Sequence, residues 1–232
     1  MLSVETLMRK YYRGHKNPFD QFTDEARRIT HFGDVVFHAG CGADSSIGFR
    51  SLAKLTIGMD YNAWVARNSD LDHAMIGDLT YLPLRDESVD LVAARWVMEH
   101  LESPRLFLQE VVRILRPGGR LIVLTPNLWN YAPFITKIMP FWFQKWFVRN
   151  LLHREPDVFL IFYRANTRHN LRALAAQSGL KEEQLYMIDG APSLLGFWSI
   201  TFLMGTLYER LIMSSEVFSN FRADIFAVFS KS

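Results

Sequence analysis

A short apolar strand that runs into a turn with two glycines is the feature that most constrains this fold. The strand covers residues 35–37, and the turn at 38–42 reads His-Ala-Gly-Cys-Gly. Glycines lack a Cβ, so such a turn lets a ligand approach the backbone, and its N–H groups can point at the ligand's polar atoms. A Gly-x-Gly pair alone also occurs in ordinary strand-to-helix turns. Its meaning therefore depends on the segments that follow.

Four further apolar segments follow the turn, at intervals typical of an α/β sheet. The first, residues 55–59, ends at Asp60, about 20 residues past the glycines, where dinucleotide-binding folds place an acid on the ribose. The others are residues 74–76, which end in Gly77-Asp78, residues 88–94, and residues 121–124. We expect helices between these strands, so that the sheet is parallel with right-handed crossovers. The ordered set is more specific than any one member.

Helical patterns flank and follow these strands. They predict helices at 4–13, at 18–30, at 103–115, where Pro117-Gly118-Gly119 ends the pattern, and from Asn166 or Thr167 to Gly179. Two more strands are predicted at 184–188 and 223–229. The predicted fold class is α/β: a Rossmann-like, seven-stranded, mostly parallel sheet that is flanked by helices and carries helical, aromatic cap insertions.

With these segments in this order, the chain resembles the class I S-adenosylmethionine-dependent methyltransferases, particularly the branch that includes the ubiquinone and menaquinone biosynthesis methyltransferases. The resemblance is close over roughly residues 30–126 and holds in outline over 166–230. It implies S-adenosylmethionine as the cofactor, with the glycine turn against the methionine part, Asp60 on the ribose hydroxyls and Tyr61 beside the adenine. Asp78 would meet the adenine edge, and Arg95 would lie near the sulfonium. The cofactor-binding residues that the resemblance implies are His38, Ala39, Gly40, Cys41, Gly42, Asp60, Tyr61, Asp78, Leu79, Ala94, Arg95 and Trp96.

We expect one methyltransferase domain over residues 1–232. Its parts are N-terminal helices at 1–30, a cofactor-binding half at 31–126, a cap insertion at 127–165, and a C-terminal half at 166–232 with an excursion at 190–220. Ligands of open α/β sheets bind outside the carboxyl ends of the strands, and both insertions are expected to cover that edge. Tyr11, Tyr12 and Arg13 could close over the cofactor from the N-terminal helix, as that segment often does in the family.

His100 and Glu99 are the candidate catalytic residues, because they follow the fourth strand near the expected methyl site. An acceptor hydroxyl has to lie in line with the methyl group and benefits from a general base. The alternative for His100 is a role in packing or capping. Some quinone O-methyltransferases have a metal-binding Glu-x-x-Glu-His cluster here, but Trp96 replaces the first glutamate, so no metal is expected. Other side chains that could reach an acceptor are His153, Asp157, Tyr163, Arg164 and His169.

The two insertions differ from the core in composition. Residues 127–165 contain eleven aromatic side chains and five lysines and arginines, against two acidic residues. This mixture is expected of a surface at a lipid headgroup layer, and it also fits a packed helical cap. Residues 190–208 carry no charge, but Pro192, Gly196 and Gly205 make a spanning helix a poor interpretation. A buried or interfacial helix is expected there.

Overall composition indicates which class of partner is unfavoured and in which compartment the chain is expected. The net charge of +2 argues against a dedicated nucleic-acid binder. Cys41 is the single cysteine and cannot form an internal disulfide, and residues 1–16 lack an apolar signal-peptide core. A reducing, cytoplasmic location is therefore expected, and peripheral contact with the inner membrane face is left open.

The function that the sequence favours is O-methylation of a sugar hydroxyl or of a lipid-linked, amphipathic acceptor. A quinone-like or small phenolic acceptor is the alternative. His38 and Asp44 stand where the family usually has an acid and often a third glycine, which motivates a third hypothesis, a non-catalytic partner subunit with a methyltransferase fold. A nicotinamide-dependent oxidoreductase is disfavoured, because Ser45 occupies the third glycine position of Gly-x-Gly-x-x-Gly. The identity of the acceptor and the oligomeric state are left open.

Overall fold

The structure is a computed structural model that describes residues 3–43, 47–150, 160–192 and 195–232. The side chains of residues 141, 144, 145, 147 and 148 are outside this description. The expectations that concern Asp44, Ser45, His153 and Asp157 therefore lie outside the described residues.

Seven strands form one sheet. They are β1 (Val35–Ala39), β2 (Leu55–Asp60), β3 (His73–Ile76), β4 (Val89–Arg95), β5 (Leu115–Pro126), β6 (Leu180–Ile188) and β7 (Asp224–Lys231). Their order across the sheet is β3-β2-β1-β4-β5-β7-β6. The pairs from β3 to β5 are parallel, and β7 runs antiparallel between β5 and β6. This arrangement confirms the predicted seven-stranded, mostly parallel sheet.

The helices lie mainly before the sheet and in its second half. The α-helices are α1 (Val4–Tyr11), α2 (Pro18–Ile29), α3 (Pro104–Ile114), α4 (Tyr131–Ile138), α5 (Phe141–Asn150), α6 (Arg168–Gln177) and α7 (Ser199–Met213). Short 3-10 helices cover Phe49–Ser51, Ala63–Arg67, Met98–His100 and Glu216–Phe221. The four helices expected from the sequence are confirmed as α1, α2, α3 and α6, each slightly shorter than predicted.

The expectation of a helix in every early connection is wrong. Only 3-10 helices are described between β1 and β2 and between β2 and β3, and residues 77–88 link β3 to β4 without a helix. Polar side chains hold these short links instead. The Asn62 side chain accepts the N–H of Trp64 at 3.1 Å, and Asp70 accepts the N–H groups of Gly48 and Phe49 at 3.0 and 3.2 Å.

Residues 117–119 were expected to separate a helix from the fifth strand, but they lie inside β5. The pairing of β4 with β5 shifts from Val89–Leu115 to Leu91–Arg120, so residues 116–119 form an irregular, bulged part of the strand. Gly118 has a φ of +78° there, a left-handed conformation that costs glycine little.

Two buried layers hold the sheet. On one face, α3 and α6 contribute Phe107, Leu108, Leu171 and Ala175 to the core. On the other face, Phe22 and Ala26 of α2 belong to a second cluster with Val36, Leu91 and Phe226 of the strands. Successive strand residues point to opposite faces, so both clusters draw on the same strands. Helix α2 thus covers much of the face that short connections leave uncovered.

The chain order reverses between β1 and β4, which defines where a ligand can bind. β1 pairs with β2 on one side and with β4 on the other, so the connections that leave these strands diverge. A crevice at the carboxyl ends of the strands is expected at such a point. Helices α4, α5 and α7 occur in the two predicted insertions. Among the described residues, no helix has the length and apolar content needed to cross a bilayer.

Candidate functional site

The glycine turn at the end of β1 is held in a left-handed conformation. Gly40 and Gly42 have φ angles of +60° and +59°. The Gly40 N–H donates to the carbonyl of Met59 at 2.8 Å, and the Gly42 N–H donates to Asp60 Oδ2 at 2.9 Å. A Cβ on Gly40 would lie 2.3 Å from Val97 Cγ2, whereas a Cβ on Gly42 would meet nothing within 4 Å. Gly40 is therefore needed for packing, while Gly42 faces open space.

Two acids lie at the ends of neighbouring strands, at the same edge of the sheet as this turn. Asp60 ends β2, and its Oδ1 accepts the N–H of Asn62 at 2.8 Å. The Gly77 N–H donates to the Asp60 carbonyl at 3.1 Å, which ties the end of β3 to the end of β2. Asp78 follows, and its Oδ1 accepts the N–H of Thr80 at 2.8 Å. The structure thus brings the glycine turn, Asp60 and Asp78 together at one edge, as the sequence predicted.

Asn68 supports the turn and was not found from the sequence. Its Nδ2 donates to the carbonyls of Cys41 and Gly42, both at 3.2 Å. Cys41 itself is buried, and burial, together with the charge of Asp60, raises the pKa of its thiol to about 12. A protonated, buried thiol fits a small packing side chain. A lone asparagine between two strands carries no pattern that would have identified Asn68.

The remaining predicted cofactor residues differ in exposure. Tyr61 is exposed beside the end of β2, while Leu79, Ala39 and Ala94 are buried and belong to the core. Trp96 follows β4 with a φ of +53°, and about 42% of the residue is exposed. Its strained left-handed backbone is fixed by donation of its N–H to Leu124 O at 2.7 Å.

His38 and Arg95 lie on the side of the sheet that α2 covers. His38 is buried against the ring of Phe49, at 5.8 Å between centroids, and neither ring nitrogen has a hydrogen-bond partner. Burial, followed by the charge of Arg95, lowers the pKa of His38 to about 3, so the imidazole is neutral. The Arg95 guanidinium lies over the Phe19 ring at 4.2 Å. A neutral histidine therefore replaces the family's usual acid at this position.

Glu99 links residues 162 and 163 to the end of β5. The residue is buried, and its Oε2 accepts a hydrogen bond from Thr125 Oγ1 at 3.0 Å. Asn166 Nδ2 donates to the same hydroxyl at 2.7 Å. The Glu99 carbonyl accepts the N–H groups of Phe162 and Tyr163 at 2.8 and 3.2 Å. Burial raises the pKa of Glu99 to about 8.

The orientation of His100 identifies its basic nitrogen. Nδ1 lies 2.9 Å from the carbonyl oxygen of Leu160. A carbonyl only accepts, so Nδ1 carries the proton and Nε2 is the basic nitrogen. Nε2 lies 4.0 Å from Glu99 Oε1, and about 34% of the His100 side chain is exposed, against 6% for Glu99. Of the two candidate catalytic residues, His100 is the one that an acceptor could reach.

Glu99 should make the stability of the chain fall with rising pH. A carboxyl whose pKa is raised from 4.5 to about 8 holds its proton in the folded chain and loses it in the unfolded chain between these values. Stability from this group is complete below pH 4.5 and declines as pH rises toward 8, by up to about 1.4 kcal/mol per unit. Glu99→Gln should flatten that decline. Urea unfolding at pH 5, 6.5 and 8 measures it, and an unchanged slope would contradict the prediction.

Three acids, the buried Asp189 and Glu209 and the partly buried Asp224, form a group at the same edge, where Asp224 lies next to Trp96. Asp224 begins β7, and its Oδ1 accepts a hydrogen bond from Trp96 Nε1 at 3.3 Å. Burial raises the pKa of Asp224 to about 7, that of Asp189 to about 6 and that of Glu209 to about 8. Asp189 follows Ile188, which pairs with Asp224 between β6 and β7, and the charge of Asp189 also raises the pKa values of the other two acids.

Three tyrosines belong to the same region as these acids. Tyr12 of the N-terminal segment donates to Glu209, and the rings of Tyr131 and Tyr208 meet edge-to-face at 5.0 Å. Burial raises the pKa of Tyr208 to about 12, so its phenol is neutral. These residues come from distant parts of the chain, and only the folded edge of the sheet brings them together. The sequence pointed to Tyr12 alone among them.

Other predicted acceptor residues have structural partners. The Tyr163 hydroxyl pairs with Thr136 Oγ1 at 3.1 Å, and Arg164 Nη1 donates to the Glu102 carbonyl at 2.6 Å. His169 lies in the first turn of α6. No set of three or more histidine, cysteine or acidic side chains that could hold a metal ion occurs among the residues described above.

Comparisons with known proteins fit this geometry. Residues 37–123 match a family model described as a methyltransferase domain. A probable S-adenosylmethionine-dependent methyltransferase of Mycolicibacterium smegmatis is 38% identical over 117 residues, which are 46% of this chain and 44% of that protein. A demethylmenaquinone methyltransferase of Paenarthrobacter aurescens is 30% identical over 105 residues, which are 45% of this chain and 36% of that protein. The chain thus spans less than half the length of these relatives.

Solved structures show the same fold over nearly the whole chain. An S-adenosylmethionine-dependent methyltransferase from Mesorhizobium loti superposes with a TM-score of 0.61 at 15% identity, covering 92% of this chain and 98% of that one. The likeness at this identity concerns the fold. Residues 37–123 thus match the methyltransferase domain family from β1 to β5, and the chain as a whole has the fold of the class I S-adenosylmethionine-dependent methyltransferases.

Proposed function

We propose that this chain transfers a methyl group from S-adenosylmethionine to a hydroxyl group of a sugar or of a lipid-linked, amphipathic acceptor. The observation that carries the proposal is that the glycine turn, Asp60 and Asp78 lie at one edge of the sheet, with open space at Gly42. A backbone cradle with acids beside it suits a ligand with an amino acid part, ribose hydroxyls and an adenine. The residues present therefore fit the cofactor.

The chain's own residues have distinct tasks in this proposal. Asp60 would accept hydrogen bonds from the ribose hydroxyls, and Asp78 with Leu79 would bound the adenine. S-adenosylmethionine, when bound, supplies a methyl group on a reactive sulfonium. His100 Nε2 would take the proton of the acceptor hydroxyl, while Glu99 holds the segment that carries His100. Alignment of the acceptor supplies most of the remaining rate enhancement.

The group of acids and tyrosines beside Trp96 supports a hydroxylated acceptor. Raised pKa values keep Glu209 and the Tyr208 phenol protonated near neutral pH. The Tyr208 hydroxyl already donates to the Phe221 carbonyl at 3.0 Å, so it offers a polyol an accepting oxygen, while a protonated carboxyl can donate. Exposed Trp129 and Trp96 offer apolar faces on which a sugar ring or a lipid-linked group can stack. These features favour an amphipathic acceptor over a small, uniformly apolar one.

A quinone-like or phenolic acceptor is the alternative, and the demethylmenaquinone methyltransferase among the relatives favours it. The test uses S-adenosylmethionine with a tritiated methyl group, a bacterial membrane-lipid extract and a soluble glycan extract. We expect tritium in a product that mild acid, which cleaves sugar-phosphate linkages, converts to a labelled sugar. Label that remains on an aromatic ring would support the alternative. Failure of the folded chain to bind the cofactor, with no label in any product, would support the non-catalytic subunit that His38 suggests.

Substituting Gly42 should separate cofactor binding from stability. Gly42→Ala puts a methyl group into space where we place the cofactor, while the protein itself offers no clash. The left-handed φ costs about 1–2 kcal/mol for a residue with a Cβ. That cost lowers the stability of the free and the bound chain alike, so it does not change the affinity. We expect a folded protein whose calorimetric affinity for S-adenosylhomocysteine falls roughly 10-fold, because the added methyl group occupies the cofactor's space. Wild-type affinity in Gly42→Ala would contradict a cofactor at this turn.

A further inference from the structure

Helix α7 exposes an apolar stripe. Its members recur at helical spacing and each leave between 41% and 72% of their surface exposed; they are Ile200, Leu203, Met204, Leu207 and Leu211. The opposite face is buried and carries Phe202, Thr206 and Glu209. The usual pattern of a surface helix is therefore inverted, since an entire apolar face points away from the protein.

The exposed charge of the segment that carries this stripe is positive, and the exposed Glu216 that follows the helix is paired with Arg222 at 2.6 Å. Between residues 190 and 213 the only charged residues are Glu209 and Arg210. Glu209 is buried and accepts a hydrogen bond from Tyr12, which leaves Arg210 as the exposed charge of this segment. Trp198, at the start of the helix, is 65% exposed. An apolar face with a tryptophan and a cation at its borders matches a bilayer interface.

Helix α4 lies beside α7, since the Tyr131 ring in its first turn contacts the Tyr208 ring of α7. The charges of α4 and of the residues that follow it therefore add to the charge near α7. Residues 127–150 contain Lys137, Lys145 and Arg149 and no acidic residue. Exposed tryptophans, Trp142 and Trp146, occur in α5. An anionic surface complements this charge. A second copy of the chain does not, because a twofold contact would set the same positive charges against each other.

We propose that α7 docks on an anionic lipid bilayer, lying in the headgroup region with its apolar stripe toward the acyl chains. Its 15 residues span about 22 Å at 1.5 Å per residue, which is shorter than the ~30 Å hydrocarbon core. The helix therefore lies on the bilayer rather than across it. This proposal stands independently of methyl transfer. It would hold the edge that carries Glu209 and Tyr12 beside the lipid surface.

Vesicle co-sedimentation tests this docking surface. The unaltered chain should sediment with vesicles of phosphatidylglycerol and phosphatidylcholine at low salt, and much less with pure phosphatidylcholine. Leu207→Glu should lower the coefficient for partition of the chain onto anionic vesicles at least tenfold. Phe32→Glu is the matched control, because Phe32 is exposed in the loop before β1, at the opposite edge of the sheet. It should bind like the unaltered chain. Both changes are at exposed positions, and circular dichroism checks that both variants fold.

Three results would overturn the proposal. The first is that Leu207→Glu binds vesicles as well as the unaltered chain does. The second is that the unaltered chain does not sediment with anionic vesicles. The third is that light scattering shows a dimer, which Leu207→Glu converts to a monomer. The last result would assign the stripe to a second copy of the chain. Failure of docking would leave the cofactor measurements unaffected, since they use no lipid.

Discussion

The Asp60→Ala chain is expected to bind S-adenosylmethionine about ten- to a hundredfold more weakly than the unaltered chain. A carboxylate that accepts two ribose hydroxyls makes charge-assisted hydrogen bonds worth about 1.5–3 kcal/mol. Asp60 also accepts the N–H groups of Gly42 and Asn62, so its loss loosens the turn that we place against the methionine part. Isothermal titration calorimetry measures the affinity directly.

Asp72 provides a matched control for this substitution. It precedes β3 and accepts the N–H of Thr56 in β2 at 2.9 Å, so it also joins neighbouring strands through a backbone hydrogen bond. It lies at the amino edge of the sheet, away from the glycine turn. Asp72→Ala should lower stability without weakening cofactor binding. Equal losses of affinity in the two variants would mean that Asp60 acts only through the fold.

The His100→Asn chain is expected to transfer methyl groups 10²–10⁴-fold more slowly, the range that general-base catalysis contributes. Asparagine can still donate its side-chain N–H toward the Leu160 carbonyl, as Nδ1 of His100 does at 2.9 Å. It cannot take a proton. Cofactor affinity and thermal stability should therefore stay close to those of the unaltered chain, while the rate of tritium transfer to the acceptor falls.

A second histidine serves as the control for His100. His73 begins β3 at the amino edge of the sheet and is exposed. His73→Asn should leave the transfer rate unchanged. A His100→Asn protein that transfers methyl groups at the full rate would show that this side chain only holds residue 160, and Asp224 beside Trp96 would then be the next candidate for the base.

The strands were predictable because their patterning is strong and local. The apolar runs at 55–59 and 88–94 lie within β2 and β4 to within a residue. Asp60 and Asp78 lie at the same edge as the glycine turn because parallel strands end at one edge. The lack of α-helices in the described connections between β1 and β4 was not predictable from the same rule. Side chains such as Asn62 and Asp70 hold short turns there, and a pattern of alternating elements cannot distinguish a 3-10 turn from a helix.

Residues of the candidate site were predictable from the sequence only where they belong to the glycine turn or follow the end of a strand. Asn68 and the acids Asp189, Glu209 and Asp224 act through proximity that the folded edge creates, and each is an isolated polar residue in the sequence. The exposed apolar face of α7 could not be predicted from the sequence, for a related reason. An uncharged run indicates burial or an interface equally well, and only the positions of Phe202 and Glu209 against the protein show which face is left outside.

The central claim is that the glycine turn and Asp60 form a methyl-donor site. Its most direct test is calorimetric titration of the unaltered chain with S-adenosylmethionine and, separately, with NAD⁺. We expect one equivalent of S-adenosylmethionine to bind per chain, with S-adenosylhomocysteine competing for the same site and no heat from NAD⁺. Absence of S-adenosylmethionine binding by the folded chain, or saturable binding of NAD⁺ in its place, would contradict the assignment of this edge to methyl transfer.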